Sequence, residues 1–167
     1  MAGRNLPLEA PLRPRYVGAA DVAEWKVMVV FALIVINKAG GLIYHREFHE
    51  GLNKLSVNDY LVLAGTFHGV HAITKNLCPL PRTPGQPPTG IEVLESESFR
   101  LQCFQTLTGT KFLLFTEPHQ PNIDGIIRKV YELYSDYVMK NPFYQIEMPI
   151  RCDAFDRHLA SYIKPRQ

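Results

Sequence analysis

The chain has 167 residues, 46% hydrophobic and 20% charged, with a formal net charge of +2 when its six histidines are neutral. That length suits one ordinary domain with a sizeable core. The balanced charge, without a run of Lys or Arg, excludes the basic stripe of a nucleic-acid binder and an electrostatic membrane anchor. The cysteines Cys78, Cys103 and Cys152 are widely spaced with no CxxC pair. This is the pattern of a reduced, cytoplasmic protein.

Residues 1–27 mix Pro7, Pro11 and Pro14 with Arg4, Arg13 and Arg15 and show no period. They read as a disordered tail, with Trp25 stapling it to a domain over 28–167. The apolar run Val27–Ile36 is shorter than the roughly 20 residues of a transmembrane helix. Its Val and Ile content predicts a buried strand over Val29–Ile36. Asn37–Gly41 then turns the chain into a second strand, Leu42–Phe48.

Ser56 and Asp59 have the spacing of a capping box, opening a helix that runs to about Leu77. Tyr60, Leu63, Ala64, Phe67, His71, Thr74 and Leu77 form its buried stripe. Leu61, Val62, Val70 and Ile73 widen the apolar surface well beyond that stripe. Cys78–Thr89, rich in proline, is a stiff connector. Two strands are expected over Gly90–Leu107, reversing at Glu95–Ser98, and a fifth over Lys111–Thr116. Asn122 is expected to cap a single helix ending near Lys140 and Pro142, and Asp153 to begin a last short helix. The order strand, strand, helix, three strands, helix, helix predicts an α+β domain with a largely antiparallel sheet.

No constellation for catalysis emerges. His45, Glu47 and His49 fall on one strand face but lack a fourth ligand, so a solvated face is expected. His71 lies on the core stripe with His68 beside it, and core histidines usually bond a backbone carbonyl. Cys103 sits mid-strand, as a buried inert thiol does. Cys152 and His158 would form a dyad only if the fold joined them. No catalytic, cofactor-binding or metal-binding residue is assigned. The segment Lys140–Arg151 is different: it concentrates Pro142, Phe143, Tyr144, Met148 and Pro149 and holds no His, Ser or Cys. Aromatics and Met are enriched in interface cores. The partner-interface candidates are therefore Leu61, Val62, Val70 and Ile73 on the first helix, and Phe143, Tyr144, Met148 and Arg151.

Several segments carry a family likeness: Asn37–Tyr44, Gly90–Glu95, Phe104–Gly109, Tyr131–Asp136, Lys140–Tyr144 and Glu147–Cys152. Together they resemble the synbindin family of small TRAPP tethering-complex subunits, over about residues 28 to 157. The resemblance implies a longin fold, a five-stranded sheet with one helix on one face and two on the other. It also implies a non-catalytic subunit of a vesicle-tethering complex in ER-to-Golgi protein transport, peripheral to endoplasmic reticulum and Golgi apparatus membranes. Its implied partners are other TRAPP subunits, including a second longin-fold subunit. An early-secretory Rab GTPase is reached through the assembled core, which acts as a guanine-nucleotide exchange platform. No cofactor, nucleic acid or transmembrane segment is implied. Some family members carry a PDZ-like insertion between the second strand and the first helix, where Phe48–Ser56 leaves room only for a short link. The alternative is a longin-type regulatory or vesicle adaptor domain that binds a SNARE-like segment; no heptad helix precedes Gln167, unlike a longin SNARE itself. A third reading, a small hydrolase using Cys152 and His158, would require an activity lost on Cys152→Ala.

Overall fold

The structure, a computed structural model, describes residues 28–77 and 89–164. The expected tail, Trp25 and the proline-rich connector up to Pro88 lie outside the described residues.

Strand β1 (Val30–Ile36) is buried along its whole length, as its unbroken apolar run requires. It pairs antiparallel with β2 (Leu42–Glu47) through the Asn37–Gly41 turn and with β5 (Lys111–Thr116) on its other side. Gly40 holds the turn at a φ of 92°, a conformation glycine adopts without steric cost. β5 is likewise fully buried and pairs with β4 (Arg100–Gln105), which carries the short exposed edge strand β3 (Val93–Glu95). The sheet order is β2-β1-β5-β4-β3, antiparallel throughout.

Successive strand residues point to opposite faces, so the central strands feed two cores. On one face Phe31, Ile34, Leu101, Leu113 and Phe115 pack with Tyr60, Ala64 and Phe67 of α1 (Val57–Leu77). On the other, Leu33, Val35, Phe112 and Leu114 pack with α2 (Ile123–Leu133) and α3 (Asp153–Ile163). One helix on one face and two on the other is the longin-like arrangement expected.

Three local expectations are corrected. The helix expected to run on from Ile123 as one unit ends at Leu133 and continues as a π-helical turn, Tyr134–Met139. The Lys140 amide reaches the Ser135 carbonyl, five residues back, at 3.2 Å. Apolar spacing alone does not distinguish that wider ladder from a regular one. Asn122 stands at the start of α2, but its left-handed backbone (φ 55°) leaves its side chain without a capping bond. A capping side chain normally needs an extended backbone to reach the first-turn amides. Leu77, expected on the buried stripe, is 70% exposed. Among the described residues, Thr74 and Lys75 make the last hydrogen bonds from α1 to the sheet side, so Leu77 lies beyond them.

Candidate partner-binding surface

Helix α1 starts where the spacing places it. The Ser56 amide donates to Asp59 Oδ2 at 3.0 Å and the Asp59 amide returns a bond to Ser56 Oγ at 3.3 Å. The Ser56 hydroxyl bond, then the backbone bond, holds the Asp59 carboxyl below its ordinary range. One turn on, the Tyr60 hydroxyl donates to the Glu47 carboxylate and ties the helix to β2. Burial, then that acceptor, pushes the Tyr60 hydroxyl up to about 12.

The inward side is Tyr60, Ala64, Phe67 and His71. The outward side is also apolar. Leu61, Val62, Val70 and Ile73 are 51%, 60%, 44% and 61% exposed. Asp59 and Lys75 are the only formally charged residues of α1. Val57 and Leu77 extend this surface and were missed by sequence reasoning. The signal was available: 57, 61, 65, 69, 73 and 77 form one continuous row at helical spacing. Gly65 and Gly69 lie in that row with open space beyond them.

The second candidate surface divides. Tyr144 packs half-buried against the core of α2 and α3, and its hydroxyl donates to the Met148 carbonyl at 2.9 Å. Ile150 is buried in the same core. Phe143 is 93% exposed, Met148 53%, and Arg151 is exposed. Ile146, also exposed, joins them and was not anticipated. The segment is bound to the β1–β2 turn: Asn37 Nδ2 donates to the Glu147 carbonyl at 3.3 Å, and Lys38 pairs with the Glu147 carboxylate at 3.3 Å. The eight candidates thus form two patches. The α1 group backs onto one core, and Phe143, Tyr144, Met148 and Arg151 border the other.

The remaining polar candidates take structural places. His45 stacks on Tyr60, and His49 Nδ1 meets the Val30 carbonyl at 2.8 Å. His71 is buried between the Ile91 carbonyl (3.1 Å) and Gln105 Oε1 (2.8 Å). Among the described residues, no group of three or more His, Cys, Asp or Glu side chains is placed to hold a metal. Burial pushes the Cys103 thiol up to about 12. Cys152 donates its thiol to the Tyr137 carbonyl at 3.4 Å, while His158 stacks on the Tyr137 ring. Both therefore meet Tyr137, and neither acts on the other as a dyad requires. No helix among the described residues is long and apolar enough to cross a membrane.

Comparison with known proteins places the chain, rather than this surface, in a family. Trafficking protein particle complex subunit 4 of Dictyostelium discoideum is 47% identical over 140 residues, covering 84% of this chain and all of that protein. Its counterpart in Bos taurus is 50% identical over 116 residues, covering 70% of this chain and 51% of that longer protein. Subunit 1 of the same complex in D. discoideum is 26% identical over 140 residues, covering 81% of this chain and 95% of that protein. The Sybindin-like family model matches residues 30–166. This chain belongs to the Sybindin-like family.

Proposed function

We propose that this chain is a non-catalytic subunit of a TRAPP-type tethering complex in ER-to-Golgi transport, and that it forms part of the platform for Rab nucleotide exchange. The observation that carries this reading is the outer face of α1. A helix apolar on both sides needs two partners, and among the described residues the sheet is the one it has. A second longin-fold subunit, of the kind represented by the subunit 1 relative, is the partner we assign to it. Exchange factors work by binding the nucleotide-free GTPase more tightly. Such work needs surface rather than proton transfer, in keeping with histidines and thiols placed structurally. The chain would then act in the cytoplasm, peripheral to ER and Golgi membranes.

Affinity purification of the tagged full chain with mass spectrometry tests this. TRAPP subunits should co-purify with the native chain and be lost with Leu61→Asp/Ile73→Asp. Those exposed substitutions should change stability by only about 0.5 kcal/mol each. A reconstituted core that exchanges nucleotide equally well without the chain would overturn the platform role.

A groove of about 780 Å³ at the start of α1, lined by Phe31, Phe48, Leu52, Leu63 and Phe115, favours the second reading. There an adaptor domain would bind a SNARE-like apolar segment. It predicts binding of one such peptide with no other subunit present.

A further inference from the structure

The flank of α1 at the turn end of the sheet gathers more positive than negative charge among the described residues. Lys111, the first residue of β5, is 4% exposed and is the only buried Lys or Arg among the described residues. Its ammonium meets His68 Nδ1 at 3.2 Å and the Gly109 carbonyl at 3.5 Å. Lys75 donates to Gln105 Oε1 at 2.9 Å, an oxygen that His71 also meets. Among the described residues, the ion pairs within 4 Å involve Lys38, Arg46, Arg100, Lys129 and Lys140, and neither Lys75 nor Lys111 has a carboxylate. Lys38, at the rim, is already paired with Glu147. These groups line an open cavity of about 340 Å³ that also reaches Ala72 and Asn76.

Buried charges in folded proteins are normally paired, because desolvation without compensation is costly. The segment that follows α1 does not supply the missing anion: residues 78–88 contain no Asp or Glu. Ala72 and Asn76 adjoin the exposed Ile73 and Leu77, so the cavity is continuous with the apolar row of α1.

We infer that Lys111, Lys75 and His68 form an anion socket that receives an acidic side chain of the subunit seated on α1. This rests on the proposed function, in which a second subunit covers that face. The apolar row would supply contact area and the socket would set register. A partner displaced by one helical turn would leave the lysines unpaired, and like charge at that point would be repelled.

The test uses the full chain with D. discoideum subunit 1, inorganic phosphate as a free-anion probe, and the variants Lys75→Gln and Lys111→Met. Removing a buried unpaired charge should leave the melting temperature of Lys111→Met equal to or above that of the native chain, so lost binding would not reflect lost folding. Each variant should weaken pairing about tenfold or more and flatten its salt dependence. Phosphate should raise the His68 titration midpoint in NMR and compete with subunit 1 more strongly than chloride at equal ionic strength. Unchanged affinity and salt slope in both variants would overturn the socket while leaving the α1 interface standing. Phosphate binding at His68 without competition would make it a free-anion site, and overturn the partner carboxylate. Failure of the native chain to pair at all would remove the interface and the socket together.

Discussion

The amide of Ile150 donates to the carbonyl of Ile43 at 2.8 Å, fastening the segment after the π-helical turn onto the outer strand β2. An outer strand presents unpaired backbone groups, and this bond occupies one of them. It also sets which residues of the segment turn inward. Tyr144 and Ile150 close over the core of α2 and α3, while Phe143, Ile146 and Met148 are left outside.

Beside that bond, the Tyr44 hydroxyl donates to Asp156 Oδ1 at 2.6 Å, and Arg46 pairs with the same carboxylate at 3.3 Å. The Tyr44 ring meets Phe155 edge-on at 5.2 Å. Tyr44→Phe removes only the hydroxyl and leaves Asp156 its arginine, so it should cost about 1 kcal/mol. Tyr44→Ala also empties the ring's site and should cost about 3–5 kcal/mol. Urea denaturation of the three chains checks the difference. Equal losses would mean that the ring contributes nothing.

Cys103 is 5% exposed and its thiol is pushed up to about 12 by burial. Thiolate is the reactive species. Cys103 should therefore resist thiol labelling of the folded chain at about pH 8 and react fully in denaturant. Peptide mass spectrometry gives the site. Rapid labelling of Cys103 in the native protein would contradict its place on β4.

Two glycines should respond oppositely to alanine. A Cβ at Gly90 would lie 2.4 Å from the His71 carbonyl oxygen and 2.7 Å from its Nδ1. Neither backbone nor the bonded ring yields easily, so Gly90→Ala should destabilise by about 1–3 kcal/mol. Gly65 has nothing within 4 Å. In the free chain Gly65→Ala should stabilise by about 0.5–1 kcal/mol through helix propensity alone. Thermal melts of both variants are the measurement, and a shared sign would refute the contrast.

Burial, then the charges of Lys111, His71 and Lys75, hold the His68 imidazole below its ordinary value of 6.5. The unfolded chain therefore takes up a proton that the folded chain resists. Stability should fall as the pH drops from the ordinary histidine value through the lower folded value, and this contribution is fully present only above the ordinary value. His68→Asn should lose that part of the pH dependence. Denaturation midpoints for both chains at about pH 7 and about pH 5.5 supply the comparison, and parallel slopes would count against it.

Much of the architecture was legible because it rests on neighbours along the chain. The unbroken Val and Ile of β1, the alternation in β4 and the three-four spacing of α1 are each set within a few residues. The outer apolar row of α1 could be read in the same way, although Val57 and Leu77 were not followed to its ends. Asn122 and the π-helical turn were not readable, since a left-handed backbone and a shift of ladder leave the residue pattern unchanged.

By itself, the sequence determined the order of elements, the two-faced sheet, and a first helix with more apolar surface than one core can cover. Local periodicity suffices for these, because each residue's face follows from its distance to the next. Only the tertiary structure decided that Phe143 turns outward while Tyr144 turns in, and that Lys111 is buried against His68. Those outcomes depend on contacts between residues far apart in the chain, 43 positions in the case of Lys111 and His68. Sheet register and helix docking create such contacts, and no local pattern encodes them.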